Sequence, residues 1–151
     1  MDYIKYLRDM VGQKPVIMVV AGVAIFDSEN RLLMHHRKED KLWGLVGGFM
    51  ELGETVEEAA RREVREEVGL ELGELELFGV FDNPINTLPS GDQVQTVIVL
   101  FTCHEYFGEP SVADNEGLEV RFVPLHQIPA KENLKLHWVI EAVKERELKK
   151  S

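Results

Sequence analysis

A chain of 151 residues with 44 % hydrophobic content is long enough for one domain with a real core. Its formal net charge of −10, without any basic stripe, excludes general binding to a nucleic-acid duplex. The single Cys103 excludes an internal disulfide, no apolar run approaches the roughly 20 residues of a membrane span, and the charged start MDYIKYLRDM is no signal peptide, so a cytoplasmic setting without a membrane partner is expected.

In chain order, Tyr3, Ile4, Leu7, Met10 and Val11 recur at three-to-four spacing. They predict an amphipathic helix within residues 1–12, ended by Gly12, whose apolar side can pack on the domain or on a second copy in a homodimer. Residues 16–26 are β-branched and apolar and predict a buried strand. A turn at 27–30 leads to a second strand over 31–37, expected to pair with the first as a hairpin. Residues 38–47 read as a loop.

The stretch 48–70, GFMELGETVEEAARREVREEVGL, reads as a loop and one helix. Thr55 is the expected N-cap, Glu58 completes a capping box, and Gly69 is the stop. At about 100° per residue, with Glu63 as zero, Glu67 falls near +40° and Glu66 near −60°. Ala60, Val64 and Val68 fall between about +60° and +140°, an apolar stripe beside the acidic one. One side of the helix is thus expected to face a core, and the three carboxylates a cleft. Carboxylates this crowded repel one another, and a hard divalent cation offsets that repulsion. By charge pattern alone, a solvated acidic helix with Glu57–Arg61 and Glu58–Arg62 pairs is the plainer reading.

Beyond the helix, residues 75–81 predict a strand, and 82–92, with two prolines, two asparagines and Gly91, a loop or hairpin. A long strand follows over 94–107, a loop over 108–117 holding Asp114 and Glu116, and a strand over 118–124. A final helix is predicted from about 133 to 149, with Leu134, Trp138, Val139, Ala142 and Val143 as its apolar stripe and a frayed end. Strands of this kind mixed with two or three helices predict an α+β fold, an α/β/α sandwich with a mixed β-sheet between helices, in one domain over 1–151.

The loop before the helix decides between the two readings of its charges. Gly48, Glu54, Arg62, Glu63, Val64, Glu66, Glu67, Gly69 and Leu70 fill every place of the pattern G-x5-E-x7-R-E-U-x-E-E-x-G-U, where U is a bulky aliphatic. Chance produces such a match on the order of once in 10⁹ placements. In these residues the chain resembles the Nudix hydrolases, whose box this is. The resemblance implies the same sandwich, with the box as loop–helix–loop. It implies hydrolysis of a nucleoside diphosphate linked to another group, by attack of water on phosphorus with Mg²⁺ or Mn²⁺ as cofactor.

Carried over residue by residue, the resemblance makes Glu63, Glu66 and Glu67 metal ligands, with Glu66 and Glu67 the box candidates for activating water. The backbone at Gly47 and Gly48 approaches the metal or phosphate, and Glu54 and Arg62 support the ligands. A further carboxylate comes from a later loop: Glu116 is the first choice and Glu119 the second, a solvated loop glutamate being the alternative for each. Arg37 matches an arginine that often touches substrate phosphate, or is a plain strand end. Trp43 and Phe49 stack on a base, or pack in core and loop. Val46 stands where many relatives have Pro.

His35 and His36 are adjacent on a strand, point to opposite faces and make no joint metal site. The expected partner is a small nucleotide, with nucleoside triphosphates, ADP-ribose or sugar nucleotides, and dinucleoside polyphosphates all open. Pro84 lies close to the position that suggests ADP-ribose. A non-catalytic nucleotide sensor of the same fold is the other functional class, and the complete acidic set favours the enzyme.

Overall fold

Two edges of one central strand organise the molecule. The computed structural model describes residues 2–150. In it, β1 (Val16–Ile25) pairs antiparallel with β4 (Val46–Phe49) on one side and parallel with β7 (Gln93–Cys103) on the other. β6 (Glu76–Thr87) closes the sheet, antiparallel to β7, in the order β4-β1-β7-β6. A second sheet has the order β3-β2-β9, from Trp43–Gly44, Leu32–Arg37 and Gly117–Val123. A small ribbon joins β5 (Glu71–Leu72) to β8 (Tyr106–Phe107).

The alternation of β1 builds two cores at once. Ala21, Val23 and Ile25 pack with Ala59, Ala60, Val64 and Val68 of helix α2 (Val56–Val68). Ala24 and Phe26 pack on the other face with Ile98, Leu100 and with Val139, Ile140 and Val143 of helix α3 (His137–Lys149). The mixed sheet therefore lies between helices, as expected. Val64 is fully buried, so Val64→Ala should cost roughly 1–3 kcal/mol of stability in a urea titration while leaving the chemistry of the folded fraction unchanged.

Several sequence expectations need correction. β2 is not a hairpin partner of β1, which it meets only at the single bridge Phe26–Leu32. Both edges of β1 are already taken by β4 and β7, so β2 builds the second sheet. Residues 43–49 are not loop but β3 and β4, and Val46 is buried opposite Val23. Its place is thus held by strand pairing and packing. Of the loop or hairpin expected over 82–92, the hairpin forms: β6 runs on to Thr87 and pairs with β7, and the turn is 88–92, closed by Leu88 N–H to the Asp92 carbonyl and Gly91 N–H to the Leu88 carbonyl. Pro84 is carried within β6 at a register shift between Asn83 and Asn86, on an edge strand where a missing donor breaks little of the ladder.

The final helix begins at His137 rather than 133. Leu134 and Lys135 are spent on β3, through the Trp43–Leu134 bridge and Lys135 N–H to the Trp43 carbonyl, and Leu136 then turns through φ 53°. Lys149 still belongs to α3 and pairs with Glu145, while Ser151 of the expected frayed end lies outside the described residues. Helix α1 (Tyr3–Val11) is stopped at Gly12, as predicted, and is capped by Asp2. It rests on its own domain: the Arg8 guanidinium donates to the Gln93 carbonyl, and the Tyr3 N–H to Glu51 at 2.7 Å. Tyr6 and Met10 stay exposed.

Candidate active site

The aim of α2 is set at both ends by its own sequence. Thr55 Oγ1 accepts from the Glu58 N–H, the Glu58 carboxylate accepts from the Thr55 N–H, and Gly69 turns left-handed at φ 73°. β4 then comes so close that a Cβ on Gly48 would lie 2.5 Å from Glu63 Cδ. A larger residue at 48 would push the Glu63 carboxylate away from the strand backbone, and glycine lets the two meet.

Arg62 ties this junction together. Its guanidinium donates to both oxygens of Glu54 at 2.6 and 3.0 Å, to Glu63 at 2.9 Å, to Glu66 at 3.2 Å and to the Phe49 carbonyl at 3.0 Å. The Glu54 bond is the main reason that the guanidinium pKa is raised and the Glu54 carboxyl is held below its ordinary range. Glu54 also accepts the Glu51 N–H at 2.9 Å, which shapes the turn before the helix. The expected supporting role of Glu54 and Arg62 thus has a concrete geometry.

The glutamates of the box have separate environments. The Glu66 side chain is 58 % exposed and meets Arg62. Glu67 is only 4 % exposed, not open to a cleft as the wheel suggested. The reason is Ala59, which falls near −40° on that wheel and is fully buried. The buried face therefore runs from Ala59 round to Val68 and includes Glu63 and Glu67. Burial, then the charge of Glu63, pushes the Glu67 carboxyl up to about 9. Glu63, beside Glu67, is also raised by burial, against the pull of Arg62. The Gly47 N–H reaches Glu67 Oε2 at a long 3.4 Å.

A loop over 108–116 brings two more carboxylates to Glu67. It is laced to the end of α2, with Ser111 N–H donating to the Val68 carbonyl and Ala113 N–H to the Glu67 carbonyl, both at 3.0 Å. Asp114 accepts the Glu116 N–H at 3.1 Å, a local turn of the kind aspartate favours. Glu67, Asp114 and Glu116 then offer carboxylate oxygens within 4.8 Å of one another. Glu116, the first choice of the sequence analysis, joins the cluster. Glu119, the second choice, instead pairs with Arg121 at 3.3 Å. The sequence places Asp114 in the same loop but gives no reason to choose it; its only local signal is an Asp two residues before Glu116 in a polar loop.

The remaining candidates surround this cluster unequally. Arg37, at the end of β2, has its Nε buried without a hydrogen-bond partner, and its charge bears on Glu67 and His35. Phe49 is half-buried and gives its carbonyl to Arg62. Trp43 is engaged elsewhere: His36 stacks on it at 4.5 Å and 5°, and the Arg121 guanidinium lies 4.9 Å from its ring. His35 and His36 do part to different surroundings. His35 is 1 % exposed, with Nδ1 3.9 Å from Glu67 Oε2 and neither ring nitrogen hydrogen-bonded. Burial, helped by Arg37, pushes its imidazole down, against the pull of Asp114.

The donor set at Glu67, Asp114 and Glu116 is all oxygen and anionic, which fits a hard divalent cation. An arginine with a free buried donor beside it suits a phosphate oxygen.

The NUDIX domain model matches residues 16–142. An ADP-ribose pyrophosphatase from Methanocaldococcus jannaschii is 35 % identical over 113 residues, which cover 73 % of this chain and 64 % of that protein. The chain spans 38 % and 41 % of two further curated relatives, so all three are longer than the stretch they share with it. A MutT NUDIX hydrolase structure from Burkholderia pseudomallei superposes with a TM-score of 0.73 at 29 % identity, over 85 % of this chain and 98 % of that one. The NUDIX domain of Shewanella oneidensis NrtR, complexed with ADP ribose, shares the fold with a TM-score of 0.67 at 21 % identity, over 97 % of this chain and 99 % of that one. A family match running from β1 into α3, over the same box that builds the Arg62 junction, makes this chain a member of the NUDIX family.

Proposed function

We propose that the protein is a divalent-metal-dependent hydrolase of phosphoric anhydride bonds, cleaving a diphosphate linkage in a nucleoside diphosphate linked to another group. The convergence of Glu67, Asp114 and Glu116 beside the box carries this reading. Those three would hold Mg²⁺ or Mn²⁺, with Glu63 and Glu66 beside them. A bound cation would neutralise phosphate charge and lower the pKa of a coordinated water. Arg37 would orient the phosphate through its unpartnered donor. Arg62 keeps Glu63 and Glu66 from moving apart as charge enters the site. Glu66 is exposed and oriented, and would accept a proton from the attacking water. With its lone cysteine buried, the chain suits a reducing compartment, and the cytoplasm is the proposed location. No helix among the described residues is long and apolar enough to cross a membrane.

ADP-ribose is the first substrate to test, since a relative of this similarity is named for it. The decisive experiment is a turnover panel of ADP-ribose, sugar nucleotides, nucleoside triphosphates including oxidised purines, and dinucleoside polyphosphates. Each is offered with Mg²⁺, with Mn²⁺ and with EDTA. Turnover of one class with Mg²⁺ or Mn²⁺, abolished by EDTA and restored by added cation, is the expected result. Full turnover in metal-free buffer would remove the metal from the reading. Tight binding without turnover across the panel would favour a nucleotide sensor, a class for which the NrtR domain with ADP ribose bound offers a fold precedent.

A further inference from the structure

His35 has no place in the box, yet it stands directly behind the carboxylate on which the site turns. It sits on β2, in the second sheet, whereas Glu67 belongs to α2 on the first. Its ring fills the space between Glu67 and the start of β9. Nδ1 lies 3.9 Å from Glu67 Oε2. On the opposite edge, a Cβ at position 117 would collide with Nε2, so only glycine admits the ring. Gly117 directly follows Glu116. The imidazole thus borders both sources of the carboxylate cluster, Glu67 on α2 and the residue that follows Glu116 at the end of the 108–116 loop.

The bonding of the ring is incomplete. Both nitrogens are buried and neither has a hydrogen-bond partner. A buried polar group left in that state is costly, and such orphans call for an explanation. A neutral imidazole carries one N–H. Nε2 abuts the Gly117 backbone, so Nδ1 is the nitrogen that faces an acceptor, and at 3.9 Å it is about half an ångström or more beyond hydrogen-bond range. A small movement of the Glu67 carboxylate toward β2 closes that gap.

We propose that His35 is a positioning residue: its Nδ1–H fixes Glu67 Oε2 when Glu67 joins Asp114 and Glu116 on a cation, and its ring sets the spacing between them. Ligating carboxylates are commonly held by such outer hydrogen bonds, whose loss costs about 10–100-fold in metal affinity. The inference rests on the cation-site reading above, and the experiment separates the two.

Mn²⁺ is titrated into metal-free protein and followed by calorimetry and by its electron paramagnetic resonance signal, without any substrate. The proteins are wild type, Glu67→Gln, His35→Phe and His35→Asn. Phe keeps an aromatic ring, somewhat larger than imidazole, and removes the donor, whereas Asn keeps a donor near the Nδ1 position. His35→Phe should bind Mn²⁺ at least about tenfold more weakly, and His35→Asn within about threefold of wild type. The apo melting temperature of His35→Phe should stay level, because the loss of two unpaired buried nitrogens offsets the crowding of a larger ring beside Gly117. That split between affinity and stability is one that a purely structural histidine would not produce. If the Phe ring is not accepted, His35→Leu carries the same comparison. Equal affinity in wild type and His35→Phe, or equal losses in the Phe and Asn variants, would overturn the positioning role alone. No Mn²⁺ binding by wild type, or undiminished binding by Glu67→Gln, would overturn the cation site itself.

Discussion

Glu67→Gln is expected to lower kcat by about 10² or more, the scale of a lost charged group at a reacting centre, and yet to leave the metal-free protein more stable than wild type at pH 8. The two effects share one cause. Glu67 is buried, and its carboxyl is pushed up to about 9 by burial and by Glu63. In the unfolded chain the same group titrates in the ordinary range, near 4.3. Between those values the folded protein binds a proton that the unfolded chain does not. Wild-type apo stability should therefore be greatest below the ordinary range and fall as pH rises toward about 9. Glutamine keeps the shape, cannot ionise and lacks that slope, so its advantage grows with pH to on the order of 1–3 kcal/mol at pH 8.

Thermal melts in EDTA at pH 5 and pH 8 check the slope, and turnover at saturating Mg²⁺ checks the chemistry. Cations should reverse the comparison. They stabilise wild type by binding only the folded state and displacing the Glu67 proton, and they should do little for the variant. A Gln variant that melts well below wild type at pH 8, or that turns over at the wild-type rate, would place Glu67 in the core rather than the site. Glu66→Gln should also slow turnover, with a nearly flat effect on melting, because that side chain is already solvated.

The largest loss of stability is expected from Arg62→Ala. The guanidinium is mostly buried, with its side chain 23 % exposed, and it serves Glu54, Glu63, Glu66 and the Phe49 carbonyl together. Removing it leaves three carboxylates without their cation and one carbonyl without its donor. Breaking a buried pair from one side costs about 3–5 kcal/mol, and with partial solvent access roughly 2–4 kcal/mol is expected here. Arg62→Lys should recover less than half of that, since an ammonium cannot reproduce a planar fork bonded on several edges. Urea titrations of the two variants with and without Mg²⁺ provide the measurement. A change below about 0.5 kcal/mol in Arg62→Ala, the size of an ordinary surface substitution, would show that the junction holds without it.

How much of this was legible in the sequence depended on how local each signal is. Thr55, Glu58 and Gly69 act within one helix on neighbouring backbone, so the bounds of α2 could be read directly. The support given by Arg62 was legible through the family pattern, although its bond to the Phe49 carbonyl was not. The burial of Glu67 escaped the helical wheel because burial is decided by what covers a face. Here β4 closes over Gly48, and the 108–116 loop closes over the end of α2. Asp114 escaped for the same reason, since its partner Glu67 lies far back in the chain. Pairing the first two strands failed because a hairpin is the cheapest local guess, and nothing in residues 16–37 shows that β4 and β7 will claim both edges of β1.

The parallel ladder between β1 and β7 also governs how the protein comes to exist. Val16 meets Val94 and Ile25 meets Cys103, so nearly eighty residues of chain must be gathered before that ladder forms. The hairpin of β6 and β7 closes across the short turn 88–92 and needs no such gathering. Loop-closure entropy thus sets the sequence of events, with local turns early and the long-range parallel pairing late and slow. The box lies inside the gathered segment, and Asp114 and Glu116 lie beyond it. No fragment produced during synthesis before residue 116 can assemble the carboxylate trio, so a nascent chain carries its acidic helix from Val68 until Glu116 is added without the partners that complete the site.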